Sequence, residues 1–298
     1  MNALHLPKPE AGRVLRQRSQ GAAVLGQGGV RYRTWCEHPR VEVVILDARG
    51  LERRAFELDA DGSGYFSGWN ANGKAGELYK YRFGESGTWP DPASRYQPKG
   101  VHGPSMVVDP DSYSWGDAQW SRPNFDDLVI YELHIGTFTP EGTFLAAINR
   151  LGQLASLGIN AIEIMPVADF PGERNWGYDG AMLYAPARVY GTPDDLRALV
   201  DAAHQSGIAV ILDVVYNHFG PDGNYTGAYH HGYYAEPKEE TPWGAALNSR
   251  SANARHVREI PAALGGTNHP GPCADPGTLS RMLKIAPHFT PSKGQPRD

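Results

Sequence analysis

The stretch Ile208-Ala-Val-Ile-Leu-Asp-Val-Val-Tyr-Asn-His-Phe-Gly220 decides the fold that the sequence predicts. Its first half is a continuous apolar, β-branched run, which is typical of a parallel strand buried on both faces. Asp213, Asn217 and His218 follow at the end of this run. Because α/β proteins build ligand sites where buried parallel strands end, we interpret the stretch as a core strand leading into a site. A core strand followed by a solvated loop is the alternative interpretation.

Two strand-and-helix patterns precede this stretch. Apolar runs predict strands at residues 128–135 and 159–167, and apolar residues at helical spacing predict helices at 143–158 and 192–207. The second helix opens with Thr192-Pro-Asp-Asp195, which offers an N-cap, proline at the first helical position and acids in the first turn. Strands and helices alternating at this spacing indicate right-handed βαβ units and a parallel sheet.

The region before these units, residues 12–108, is predicted to be a small antiparallel β-sandwich. Short, partly alternating runs at 30–36, 41–47, 53–58 and 77–83 are separated by Gly and Asn-Gly turns. Its aromatic residues are interpreted as core or rim, with stacking on sugar rings as the alternative. They are Trp35, Tyr65, Trp69 and Trp89. Prolines and glycine at 109–125 predict a linker.

Composition narrows the class of protein and of partner. The 298 residues carry a formal net charge of -5, which argues against nucleic acid or an anionic membrane as the main partner. The two cysteines, Cys36 and Cys273, lie far apart and make no disulfide framework, so we expect a reducing, cytoplasmic location. The sequence contains no apolar run of transmembrane length and no secretory signal at its start. No cofactor is predicted.

A long connection at residues 168–191 separates the second strand from its helix and carries Asn175-Trp-Gly-Tyr-Asp-Gly180. Long connections on this side of a parallel sheet often line sites. Tyr178 offers a flat apolar face beside the carboxylate of Asp179, a combination suited to a sugar, whose C–H face stacks while its hydroxyls need acceptors. A turn pinned by a buried tyrosine is the alternative.

These motifs resemble the α-amylase superfamily of retaining glycosidases and transglycosidases. Asp213-Val-Val-Tyr-Asn-His218 is similar to the superfamily element at the end of barrel strand three, and Gly177-Tyr-Asp179 to the element that stacks on the sugar. Three further segments resemble the malto-oligosyltrehalose trehalohydrolase family within it. They are Asp91-Pro-Ala-Ser-Arg-Tyr-Gln-Pro98, Gly100-Val-His-Gly-Pro-Ser105 and Tyr131-Glu-Leu-His-Ile-Gly-Thr-Phe138. The resemblance covers about residues 12–248.

The resemblance implies a β-sandwich followed by a (β/α)8 barrel that acts on an α-glucan, specifically hydrolysis of the α-1,4 bond beside the terminal trehalose unit of maltooligosyl trehalose. Glycogen branching or debranching is the alternative within the superfamily. The residues that it assigns to the sugar at the cleavage site are Tyr178, Asp179, Asp213, Asn217 and His218. None of them is the nucleophile or the proton donor, which the family places at the ends of strands four and five.

The sequence departs from the family pattern after Asn248. Barrel pattern is clear at 126–248 only, whereas 249–298 is rich in proline, has seven Lys or Arg against three Asp or Glu, and shows no strand with an Arg-x-Asp element. We interpret 249–298 as a frameshifted, truncated or poorly ordered tail, and the barrel as its incomplete first part. The catalytic carboxylates are then missing, and a non-catalytic fragment that binds α-glucan weakly is the alternative function.

A metal site is the alternative to the sugar site for another group of residues. His218, Asp222, His230 and His231 carry imidazole and carboxylate ligands of the kind that zinc takes. Their spacing matches no defined zinc motif, so the sequence predicts no metal.

Overall fold

Nine short strands occupy the first part of the chain and form two antiparallel sheets. The computed structural model describes residues 20–84, 87–235, 240–241 and 244–248; the predictions for 12–19 and 249–298 lie outside this range. One sheet has the order β1-β2-β6-β5, and the other has β4-β3-β7-β8 with β9 also paired to β7. The bounds are β1 Gly21–Val24, β2 Val30–Trp35, β3 Glu42–Leu46, β4 Glu52–Glu57, β5 Asp59–Gly62, β6 Tyr65–Asn70, β7 Leu78–Arg82, β8 Thr88–Trp89 and β9 Ser105–Met106.

The two sheets contact each other through buried aromatic rings. The Tyr32 ring of β2 lies 5.8 Å from the Phe56 ring of β4 and 5.1 Å from the Tyr79 ring of β7, centroid to centroid. Edge-on ring pairs at this spacing stabilise a core beyond the area that they bury. Trp35 and Tyr65 are also buried, so these two aromatic residues are core residues, as the first interpretation held.

Asp91 is a buried carboxyl group beneath these sheets. Its two oxygens accept hydrogen bonds from the Tyr79 hydroxyl at 2.6 Å and the Ala93 N–H at 2.8 Å. Burial raises the pKa of Asp91 to about 6, although both hydrogen bonds favour the charged form. The folded protein therefore holds this proton more tightly than the unfolded chain does, and the group's contribution to stability falls as the pH rises through its folded pKa.

We expect Asp91→Asn to remove this pH dependence. Between about pH 4 and pH 7 the variant should gain about 2–3 kcal/mol of unfolding free energy relative to the wild type, because only the wild type must ionise a buried group. Urea unfolding of both proteins at several pH values measures the difference. Burial also raises the pKa of Asp169 to about 6. Asp169 is present in both proteins, so its contribution to the unfolding free energy cancels in the comparison. Parallel stability curves would contradict the expectation.

Three parallel strands and two long helices form the second part. Strands β10 (Ile130–Leu133), β11 (Ala161–Ile164) and β14 (Ala209–Leu212) lie side by side in the order β10-β11-β14. A short helix α1 (Ile135–Phe138) follows β10, helix α2 (Phe144–Ser156) connects β10 with β11, and α3 (Pro193–Gln205) precedes β14. The predicted parallel βαβ units are present.

The helix starts follow from their capping residues. Thr143 accepts a hydrogen bond from the Ala146 N–H at the start of α2. At the start of α3, the Thr192 side chain accepts from the Asp195 N–H, while the Asp195 carboxylate accepts from the Thr192 N–H. Such reciprocal capping satisfies two backbone donors that a helix start otherwise leaves without partners.

The connection at 168–191 is more ordered than predicted. Strands β12 (Ala168–Asp169) and β13 (Met182–Pro186) pair in it as an antiparallel ribbon, and all five β13 residues are buried. The prediction of an uninterrupted loop was therefore wrong. A short apolar run such as Met182-Leu-Tyr-Ala-Pro186 has no alternation, because both its faces are covered.

The segment at 109–125, predicted as a linker, packs against α3. The Asp117 carboxylate lies 2.8 Å from His204 Nδ1, and the Trp120 ring stacks on the His204 ring at 3.7 Å. The Gly116 N–H donates to the Asp201 carboxylate. These contacts lie at the end of α3 that precedes β14, away from the carboxyl ends of the strands.

A short helix α4 (Thr226–Tyr229) joins the second part of the chain to the antiparallel sheets. Tyr229 is fully buried, its ring lies 4.7 Å from that of Phe83, and its hydroxyl donates to the carbonyl of Pro90. Strands β15 (Glu240–Thr241) and β16 (Gly244–Ala245) complete the described elements. Within the described residues, no helix is long and apolar enough to cross a membrane.

Candidate functional site

A pocket lies where β11 and β14 end, at the carboxyl edge of the parallel sheet. Its walls are the residues after β11, the loop before β13 and the residues after β14. Most of the lining is apolar, and includes Val167, Leu183 and Leu212. Tyr178, Asp213 and His218 add polar groups. An apolar pocket with a few convergent polar groups is the usual form of a small-molecule site.

His218 joins the two loops that border the pocket. Its ring is buried, and Nε2 lies 2.9 Å from the carbonyl oxygen of Tyr178 while Nδ1 lies 2.8 Å from Oδ1 of Asn217. The imidazole therefore fixes the loop that carries Tyr178 against the end of β14.

The loop that carries Tyr178 is held in shape by Asn175 and by glycine. The side-chain oxygen of Asn175 accepts from the N–H of Gly177 at 2.8 Å and that of Asp179 at 3.4 Å. Gly177 has a φ of 102°, which is available to glycine and strained for other residues. This geometry leaves the residue Trp176 70% and the residue Tyr178 46% exposed, so both rings are open to a ligand.

Glycine also permits the close approach of the two loops. The Gly220 N–H donates to the Gly180 carbonyl at 2.9 Å, and a Cβ on Gly220 would lie only 2.2 Å from the Asp179 carbonyl oxygen. No side chain fits there without moving the backbone. The loop after β14 and the loop before β13 are therefore in direct contact.

The structure brings together most of the residues predicted for the site. Tyr178, Asp213 and His218 line the pocket, and Asn217 reaches it through its contact with the His218 ring. Asp179 is exposed and touches the neighbouring loop through its backbone. The roles assigned to these residues stay predictions.

A group of carboxylates beside the pocket was not predicted. Glu132 of β10 and Glu163 of β11 are register partners, so their side chains leave the same face of the sheet. Burial raises the pKa of Glu163, and the negative charges of Asp213 and Glu132 raise it further. Only Asp213 of the three lines the pocket. Polar residues inside otherwise apolar strands were the available sequence signal.

The four residues weighed as a metal site do not form one group. His218 lies at the pocket, and Asp222 lies 3.5 Å from His102. His230 and His231 lie elsewhere, next to Glu37 at the antiparallel sheets.

The parallel βαβ sheet with a pocket at its carboxyl edge is an amylase-type fold, as a family model and a solved structure show. Residues 104–246 match the family model "Alpha amylase, catalytic domain". A crystal structure from Salmonella typhimurium, assigned as an alpha amylase, superposes with a TM-score of 0.74 at 44% identity. That superposition covers 81% of this chain and 40% of the other.

More specific similarity comes from curated relatives. Malto-oligosyltrehalose trehalohydrolase of Saccharolobus solfataricus is 48% identical over 79% of this chain and 41% of its own length. The enzyme of the same name from Deinococcus radiodurans is 43% identical over 80% of this chain and 39% of its own length. The resemblance to malto-oligosyltrehalose trehalohydrolase of the α-amylase superfamily is thereby confirmed. The chain spans about two fifths of the length of these relatives.

Proposed function

We propose that this chain belongs to a glycoside hydrolase that releases trehalose from maltooligosyl trehalose by cleaving an α-1,4-glucosidic bond. The observation that carries the proposal is the pocket at the carboxyl edge of the sheet, where Tyr178, Asp213 and His218 meet. An exposed aromatic face beside the half-buried Asp213 and the buried His218 matches the two faces of a glucose ring. The names of the relatives supply the substrate class.

Each residue has a role in this proposal. Tyr178 stacks on the apolar face of the sugar, and Asp213 accepts hydrogen bonds from its hydroxyls. His218 and Asn217 hold the side of the pocket that carries Tyr178 in position, and Asp179 completes that side. The structure lends support through the two contacts of the His218 ring, which couple Tyr178 to Asn217.

The proposal extends to the domains. We propose that residues 12–108 form a β-sandwich domain, that 109–125 link it to the catalytic part, and that 126–248 form part of a (β/α)8 barrel. The contacts of Tyr32 across the two sheets support the first of these. The three parallel strands and their helices support the last. The cytoplasm suits such a protein, because two cysteines in 298 residues are too few for a disulfide framework.

Binding without cleavage is the second candidate function. The site residues can hold a sugar, yet a retaining glycosidase needs two carboxyl groups about 5 Å apart at the scissile bond. Of the three carboxylates grouped on the sheet, only Asp213 lines the pocket, which favours α-glucan binding by the chain itself.

A titration with maltooligosaccharides tests sugar binding at the pocket. We expect Tyr178→Ala to weaken the affinity about two- to tenfold, because stacking on an aromatic face contributes about 0.5–1.5 kcal/mol. Tyr178→Phe is the matched control and should bind nearly as the wild type does, since it keeps the ring. Isothermal titration calorimetry measures both. Equal affinities for Tyr178→Ala and the wild type would place the sugar elsewhere.

A chimera tests the hydrolase proposal. Residues 20–248 of this chain would replace the aligned segment of the Saccharolobus solfataricus relative, with which the chain shares 48% identity. The chimera should release trehalose from maltooligosyl trehalose, and His218→Ala in the chimera should lower that rate because the loop carrying Tyr178 loses its anchor. A folded chimera that hydrolyses only unmodified maltooligosaccharides would contradict the trehalose-releasing assignment.

A further inference from the structure

Three metal-ligating side chains meet outside the pocket, at the junction between the antiparallel sheets and the loop after α4. Glu37 follows β2, whereas His230 and His231 follow α4. One potential ligand atom from each of the three lies within 4.8 Å of the others. The Glu37 carboxylate oxygen is 2.5 Å from His231 Nδ1 and 3.7 Å from His230 Nδ1.

The chain holds this cluster in place from both sides. The His230 ring stacks on the Trp35 ring of β2, with centroids 3.8 Å apart and planes 15° apart. The Glu37 N–H donates to the Tyr229 carbonyl at 2.9 Å, so the backbones on either side of the cluster are tied together. His231 and Glu37 remain accessible, with side chains 64% and 39% exposed. The cluster is thus anchored at one residue and open to solvent at the other two.

We propose that Glu37, His230 and His231 form a binding site for a divalent transition-metal ion of the zinc type. Two imidazole nitrogens and one carboxylate oxygen are a ligand set that Zn²⁺ accepts. Mg²⁺ prefers oxygen ligands and does not accept this set. Three protein ligands leave the fourth tetrahedral position to solvent. The ion would connect the antiparallel sheets to the loop after α4, two parts nearly two hundred residues apart in sequence.

The cluster needs only small adjustments to take the ion. Zinc bonds of about 2.0–2.1 Å in a tetrahedron place ligand atoms about 3.3 Å apart. The His230–Glu37 distance of 3.7 Å is already near that value, and the exposed His231 ring has room to retreat from its 2.5 Å contact. His230 Nδ1 now accepts from the Gly232 N–H at 2.9 Å. A bound ion would coordinate the Nδ1 lone pair that accepts this hydrogen bond, and the hydrogen bond would be lost. We therefore expect the affinity for the ion to be specific but moderate.

Thermal unfolding of the 298-residue chain tests the site. After treatment with EDTA, Zn²⁺ should raise Tm by several degrees and Mg²⁺ should leave it unchanged, because an ion that binds only the folded state stabilises it. His231→Asn and Glu37→Gln should each abolish most of the Zn²⁺ shift. His102→Asn is the matched control: it removes another exposed histidine beside a carboxylate, and its Zn²⁺ shift should match the wild type.

Cobalt provides a readout that does not depend on unfolding. Co²⁺ added to the wild type and to His102→Asn should give the visible absorption of a tetrahedral site, and Zn²⁺ should displace it. His231→Asn should lack this absorption. The proposal is overturned if Zn²⁺ does not shift Tm in the wild type, or if His231→Asn and Glu37→Gln keep the whole shift and the Co²⁺ spectrum.

Discussion

The purified 298-residue chain is expected to release no measurable trehalose from maltooligosyl trehalose. The pocket residues can hold a glucose ring, but cleavage with retention needs a nucleophile and a proton donor. We predict that the chain lacks this pair, because no Arg-x-Asp sequence occurs after Asn248. Loss of such carboxylates costs several orders of magnitude in rate, each factor of ten being about 1.4 kcal/mol of barrier.

The chimera with the Saccharolobus solfataricus relative is the control for this expectation. It holds the same pocket residues within a chain that carries the relative's remaining segments, so it should be active where the 298-residue chain is not. Trehalose release by the two proteins at equal concentration gives the comparison. An ordinary enzymatic rate from the 298-residue chain would show that its catalytic carboxylates are present and were not identified.

The parallel sheet could be predicted because its local patterns agree with its long-range packing. The run that forms β14 is buried on both faces, and Thr192 begins α3 as its capping pattern indicates. A wholly apolar strand fits only a sheet covered on both sides, and helices between such strands supply the cover. Strand type, helix starts and parallel βαβ units therefore followed from local composition.

Elements without a local pattern could not be predicted. Strand β6, Tyr65-Phe-Ser-Gly-Trp-Asn70, contains glycine and asparagine, which are usually turn formers. The structure explains the glycine, because a Cβ on Gly68 would lie 2.6 Å from Leu58 Cδ2. That constraint comes from Leu58, which lies between β4 and β5, and leaves no trace in the pattern of β6 itself. The packing of Asp117 on His204 is likewise a contact between distant segments.

The sequence predicted which residue types form the site, but not the interactions between residues that are distant in sequence. Polar residues at strand ends identified Asp213 and His218, which line the pocket. The raised pKa of Glu163 depends on burial and on charges from two other strands, and the His230–Glu37 cluster depends on α4 meeting the end of β2. Such properties arise only when segments far apart in sequence come together.

Gly220→Ala is expected to abolish maltooligosaccharide binding at the pocket. The added Cβ would lie 2.2 Å from the Asp179 carbonyl oxygen and 2.7 Å from its carbonyl carbon, both backbone atoms that cannot rotate away. The two loops must separate, which breaks the Gly220–Gly180 hydrogen bond and moves Tyr178 away from His218. We expect an affinity loss of about a hundredfold or more, since stacking and the anchored wall are lost together.

Gly152→Ala is the matched control, because it makes the same change where there is space. Gly152 lies on the exposed side of α2, and apart from its chain neighbours and the helix's own backbone no described atom lies within 4 Å of a Cβ added there. This variant should gain about 0.5–1 kcal/mol of stability from improved helix propensity and bind maltooligosaccharide as the wild type does. Calorimetric titration and urea unfolding of both variants separate a local clash from general unfolding. A folded Gly220→Ala protein with wild-type affinity would mean that contact between the two loops is not required for the sugar site.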